Sequence, residues 1–219
     1  MKRSYRETPE TIKGTFAEYA KTIGFPWKEF VMSVPSPMFL VTSYKSIGHH
    51  NACMQGWTTF TSANHGNGYY AILGSVNKNG HLYETLKETR EAVINFMSAD
   101  YHAACMATIR NNAFEADEIK ASGLTAEKAS QVNAPVIKEC FMNLECRYVW
   151  EKEIVPGDDH VMICLEVLGV HIDEDHLEDR IGEEGLLYNI HYQMNPEHVM
   201  KTGHDYAAVL QKKIDVMEY

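Results

Sequence analysis

Five consecutive residues, Asn77, Lys78, Asn79, Gly80 and His81, bring a cation, an imidazole, two amides and a glycine together in a short polar break. Residues 69–76 before it (YYAILGSV) are apolar, aromatic and partly β-branched, as a buried strand is. After it, Leu82, Thr85, Leu86 and Thr89 recur at helical spacing, with Glu84, Lys87, Glu88 and Arg90 on the opposite side. A strand that opens through a donor-rich loop into a helix start presents unpaired backbone N–H groups at the positive end of a helix dipole. Such a place suits a phosphate or another anion, and Lys78 and His81 add charge and hydrogen bonds. The plain alternative is a solvated strand–helix connection.

Other chemistry-bearing residues carry less. His171, Asp173, Glu174, Asp175 and His176 crowd into HIDEDH, but an acidic run after a strand reads as a solvated turn, and no metal site is assigned. The five cysteines are odd in number, widely spaced and without a C-x-x-C pair, which fits reduced, buried thiols in a cytoplasmic protein. Cys53 is read as a small buried hydrophobe rather than a redox thiol. A net charge of −10 without a basic stripe argues against nucleic acid. Neither an 18-residue apolar window nor the apolar core of a signal peptide is present, so no membrane span is expected.

The elements that must position the 77–81 loop follow from apolar runs and turn signals. The 219 residues, 45% of them hydrophobic, suffice for a sizeable core. Residues 1–34 read as an arm with a short helix near 15–23, a Phe25-Pro26-Trp27 corner, and Trp27 and Phe30 clamping it to the core. Strands are expected at 38–43, 51–62, 69–76, 92–96, 140–151 and 161–172. Turns fall at 44–50, 64–68 and 156–159, and Gly56 marks a bulge or close backbone approach. Residues 98–135 read as one or two surface helices and a loop. Residues 176–219 form a C-terminal extension with a final helix near 206–216. The expected fold is mainly β with peripheral helices: a six-stranded antiparallel barrel, closed or split, over residues 35–175.

At this point the sequence resembles the flavin reductase-like, FMN-binding split-barrel family, which includes flavoredoxins. The resemblance lies in 37–43 (P-x-x-x-V-T), Asn51-Ala52, Trp57 with Ser62, Ser75-Val76-Asn77-Lys78, His81-x-Tyr83-Glu84 and residues 91–95. It continues through Asn133-Ala134-Pro135, residues 144–146 and His160-Val161 to residues 165–167, and covers roughly 35–173. It implies a homodimer that binds FMN noncovalently near the subunit interface. Electrons would pass between NADH or NADPH, FMN and an acceptor, or between flavin and a protein donor or acceptor. The backbone of Met54, Gln55, Gly56, Trp57 and Thr58 would approach the isoalloxazine edge, beside Asn51 and Ala52. Asn77, Lys78 and His81 would face the phosphate, with His160 as a further candidate there, and Ser75 and Val76 are further cofactor-binding residues. Met54 and Gly56 replace the proline and serine common in relatives, and Leu82 replaces a threonine. No residue stands out as an acid, base or nucleophile.

Two further readings share the barrel: a flavin-binding or electron-carrier protein without reductase activity, and a pyridoxamine-phosphate-oxidase-like enzyme. Bleaching of a bound flavin by NADH or NADPH separates a reductase from a carrier.

Overall fold

The computed structural model describes residues 2–23, 26–32, 34–179, 185–190, 197, 201 and 206–210. The chain divides into two compact units, one of residues 1–36 and 188–208, the other of residues 37–187 and 209–219. In the first unit, α1 (Lys13–Ile23) and α2 (Trp27–Met32) bury Phe16 and Phe30 edge to face, 6.0 Å between ring centres. Trp27 therefore opens a helix rather than forming a corner, while Phe25 lies outside the described residues.

The second unit holds the candidate site. Its strands, after the two-residue β1 (Ser36–Pro37), are β2 (Phe39–Tyr44), β3 (His50–Gln55), β4 (Thr58–Ala63), β5 (Gly68–Asn77) and β6 (Glu91–Phe96). They continue as β7 (Ala126–Lys128), β8 (Pro135–Ile137), β9 (Met142–Glu153) and β10 (His160–Ile172). Seven form one wholly antiparallel sheet in the order β3-β2-β6-β9-β10-β5-β4, one strand more than expected. The extra strand comes from residues 51–62, which are two strands separated by Gly56-Trp57.

That separation decides the architecture. In a flat sheet β3 and β4 would stand six strand spacings apart, about 29 Å. The three Cα–Cα steps from Gln55 to Thr58 reach at most about 11 Å. The sheet must therefore curl until its edges approach, and the result is an antiparallel split barrel.

Alternation along the strands fills it. On β6, Ala92, Ile94 and Phe96 face the core with Phe39, Val41, Leu73, Leu144 and Ile163, while Val93 packs on Ala129, Val132, Ala134 and Val136. Burial on both faces explains why β6 reads as a nearly continuous apolar run. Gly48 (φ +83) and Gly157 (φ +82) sit in the β2–β3 and β9–β10 turns, where a left-handed residue is needed.

Helices lie outside the sheet: α3 (His81–Thr89), α4 (His102–Arg110), α5 (Glu118–Ala121) and α6 (Glu174–Asp179). The acidic run after β10 is solvated, Asp173, Glu174 and Asp175 being exposed, but it forms the helix α6 rather than a turn, with His176 buried and stacked on Phe141, 3.7 Å between ring centres. Of the helix expected near 206–216, residues Tyr206–Leu210 form a strand, β12, beside β11 (Leu186–Ile190), and residues 211–216 lie outside the described residues. A neighbouring strand edge overrides helix propensity there. No helix among the described residues is long and apolar enough to cross a membrane.

Candidate functional site

The far end of β5 organises the site. Gly74 donates its N–H to the Trp57 carbonyl at 2.6 Å, and a Cβ on Gly74 would stand 2.9 Å from that oxygen. Ser75 follows with φ 54, a left-handed conformation that non-glycine residues rarely adopt. The β5–β10 pairing slips here: Val76 faces Val161 and Leu73 faces Ile163, so Gly74 and Ser75 bulge against Met162 alone. Thr58, opposite Leu73 on β4, has its Oγ1 buried without a hydrogen-bond partner. The Gly56-Trp57 corner, Thr58 and Ser75 are thereby drawn together, with half-buried Met54 and Gln55 leading into the corner. Gln55 donates to Cys53 Sγ at 3.3 Å, and burial pushes the Cys53 thiol up.

Beyond the bulge, Val76 joins the core, so only its backbone is available to a ligand. Asn77 closes the turn with its own side chain, Oδ1 accepting from Asn79 N at 2.8 Å, and its carbonyl accepts from Gly80 N at 3.1 Å. Lys78 is drawn to the β9–β10 hairpin: its amide donates to Asp159 O at 2.8 Å, and Nζ donates to Asp158 O at 2.6 Å and pairs with Glu153. The Glu153 contact raises the Lys78 pKa and lowers that of Glu153. His160, paired with Asn77 across β5–β10, donates its amide to Asp158 Oδ1 at 3.0 Å. An open groove of about 540 Å³ runs from Lys78, Asn79 and Gly80 along Tyr83, Glu84, Lys87 and Glu88 of α3.

The first residue of the helix, His81, has its own set of partners. Gly80 caps α3 without a side-chain bond, and the first amides of a helix have no carbonyl behind them. His81 Nδ1 is buried without a hydrogen-bond partner, 3.7 Å from Glu118 Oε1. Glu118 Oε2 accepts from the Ala52 amide at 2.8 Å, and Oε1 lies 2.8 Å from Lys45 Nζ. Lys45 and Glu118 are 0% and 1% exposed. Lys45 Nζ also donates to Ala113 O and Ala116 O, each at 2.9 Å. Buried Asn51 donates to Ser43 Oγ at 3.5 Å, Ser43 and Thr85 share a hydrogen bond at 2.7 Å, and Thr85 donates to His81 O at 2.8 Å. A polar chain thus runs from β3 to the first turn of α3.

The outer side of α3 is tied to β9. Glu151 accepts from Tyr83 at 3.1 Å and Tyr148 at 2.7 Å, and pairs with Lys87 at 3.1 Å. Burial and then the Glu151 contact push the Tyr148 hydroxyl up to about 12.

Of the residues expected from the sequence, Trp57, Thr58 and Ser75 meet at one corner, and Asn51, Ala52 and His81 meet around Glu118 and Thr85. Asn77, Lys78 and His160 gather at the β9–β10 hairpin, and Lys78 and Gly80, on either side of Asn79, line the same groove. Sequence reasoning missed Lys45, Glu118, Ser43 and Thr85. A lysine in a turn and a glutamate in a charged run read as solvated, and no local pattern marks them as partners 73 positions apart.

Residues 31–195 match the model of the flavin reductase like domain. The fold is similar to that of flavoredoxin of Desulfovibrio vulgaris (Miyazaki F), with TM-score 0.67, 18% identity, and 83% of this chain and 90% of that one covered. Nitrilotriacetate monooxygenase component B from Bacillus cereus aligns with TM-score 0.70 at 18% identity over 99% of both chains. An FMN-binding protein from Thermus thermophilus aligns with TM-score 0.63 at 16% identity over 87% of this chain and 91% of that one. An uncharacterized protein of Aquifex aeolicus (strain VF5) is 31% identical over 115 residues, 51% of this chain and 54% of that protein, so the match spans about half the length of this curated relative.

Proposed function

The chain belongs to the flavin reductase-like domain family, and from that premise we propose that it binds FMN and acts as an oxidoreductase of flavin reductase or flavoredoxin type. The observation that carries this reading is a buried polar atom without a hydrogen-bond partner, Thr58 Oγ1, beside the Gly56-Trp57 corner. An orphaned buried hydroxyl is costly, and a ligand that supplies its partner accounts for it. The bulge at Gly74-Ser75 fits the same group: it brings backbone close to Trp57 and turns Ser75 outward from regular pairing.

In this reading the Gly56-Trp57 corner and Thr58 hold the ring and exclude water from it. Donors there favour negative charge on the ring edge, which is the protein's share of the redox chemistry. Asn77, Lys78, His81 and the free amides of α3 hold the phosphate. FMN supplies the electron transfer between a reduced nicotinamide nucleotide and an acceptor. The chain's own task is binding, orientation and shielding; hydride transfer to a flavin requires no acid or base from the protein.

The test is a visible spectrum of the purified protein, with and without FMN, before and after NADH or NADPH. Flavin bands bleached by nucleotide are expected. Bound flavin that no nucleotide bleaches would make the protein a carrier, and failure to bind FMN would overturn the reading. Lys78→Ala is expected to weaken FMN about ten- to a hundredfold and riboflavin far less, since only FMN offers the phosphate. Because Glu153 engages Lys78 Nζ, Glu153→Gln removes the carboxylate that competes for the ammonium and should tighten FMN without changing riboflavin.

A further inference from the structure

The fold withdraws Lys45 and Glu118 together from solvent, and stability alone does not explain why. Desolvating two charges is costly, and well-packed apolar residues often replace such pairs without loss. What the pair does have is reach. Glu118 opens the short helix α5 and touches three elements of the cofactor cleft: Oε2 takes the Ala52 amide of β3, while Oε1 faces Lys45 beyond β2 and His81 at the start of α3. Lys45 in turn fastens the segment leading to Glu118 through Ala113 O and Ala116 O. Phe114 in that segment meets the His81 ring edge to face, 5.6 Å between centres. The imidazole is thus bounded by Phe114 and by the carboxylate.

We propose that Glu118 is a positioning residue for the phosphate end of the flavin site: it orients His81 as the counter-charge to its Nδ1, and Lys45 neutralises the carboxylate in its buried setting. This rests on the FMN reading above. The Ala52 contact links the same carboxylate to the strand that leads into the ring-binding corner, so one side chain registers β3 against α3. Lys78 pairs with Glu153 and makes no contact with Glu118.

The test titrates FMN and riboflavin into wild type, Glu118→Gln and the double variant Lys45→Met/Glu118→Gln, with a thermal melt of each. Glutamine keeps an acceptor for the Ala52 amide and removes the charge facing His81. FMN is expected to weaken about tenfold in both variants, with riboflavin within about twofold of wild type. The double variant, free of an unpaired buried lysine, should melt above the single one while FMN stays weak. A cycle with His81→Asn should be non-additive, Glu118→Gln adding little once the imidazole is gone. Unchanged FMN affinity, parallel loss of both flavins, additive losses with His81→Asn, or unfolding of both Glu118 variants would each overturn the proposal. A wild type that binds neither flavin would instead overturn the FMN reading.

Discussion

Gly74 and Trp57 are joined backbone to backbone, the amide of one on the carbonyl of the other at 2.6 Å, with no space for a Cβ between them. This contact pins the corner between β3 and β4 to the bulge on β5, and the two edges of the seven-stranded sheet meet around it. Gly74→Ala forces the backbones apart and is expected to cost about 1–3 kcal/mol, read as a lower melting temperature. Ser75→Gly should do the reverse. Relief of a left-handed residue, about 1–2 kcal/mol, outweighs the entropy of glycine, about 0.5–1 kcal/mol. A gain in stability with weaker FMN binding would mark Ser75 as a strained ligand contact; no gain would show that its φ carries no strain.

Thr58→Val replaces a buried hydroxyl that has no partner by a methyl of the same shape. The ligand-free protein should gain about 1 kcal/mol. The FMN complex should lose affinity, so the variant melts above wild type without FMN and gains less from its addition. Equal gains from FMN in both proteins would remove Thr58 from the ring site.

Glu145 contributes to the pH dependence of stability. Burial pushes its pKa up, but the amides of Ser130 and Gln131, the Ser130 hydroxyl and His171 outweigh it and hold the carboxyl at about 2, against an ordinary 4.5. A lowered folded-state pKa stabilises above the unfolded value and is lost as pH falls through the folded one. The contribution is roughly 3 kcal/mol at pH 7, of which about 2 kcal/mol is gone by pH 3. Urea midpoints at the two pH values should therefore differ less in Glu145→Gln than in wild type. An unchanged difference would assign the acid limb to other carboxylates.

Glu151 gathers Tyr83, Tyr148 and Lys87 onto one carboxylate. Glu151→Ala should loosen α3 from β9 by about 1–2 kcal/mol, since hydrogen bonds to a charged group exceed neutral ones. The phenolate absorbance of Tyr148 should then appear at lower pH than its present value of about 12, though still above the ordinary 10, because burial remains. A titration curve identical to that of wild type would mean that burial alone sets the value.

Much of this protein is written in short-range pattern. The strand–loop–helix–strand order of residues 69–96, the turns at Gly48 and Gly157, and the long β9–β10 hairpin follow from period, β-branching and glycine, all properties of neighbours. The family could be recognised for the same reason, since its motifs are local. Departures from family pattern were visible too, but not their meaning. The Leu82 side chain is part of the barrel core, so the threonine that the family resemblance implies there would exchange packing for a hydroxyl.

What tertiary structure alone decided depends on closure of the sheet. Gly56 looks like a bulge until the two edges must meet across Gly56-Trp57. Residues 206–210 look helical until β11 offers an edge. Lys78 looks free until the β9–β10 hairpin brings Glu153 to it from 75 residues away. Lys45 and Glu118 carry no local signature, because burial of a charge is a property of what folds over it. Periodicity reports which face of a segment is apolar; which distant segment covers that face, and which charge comes with it, is set by the curl of the sheet.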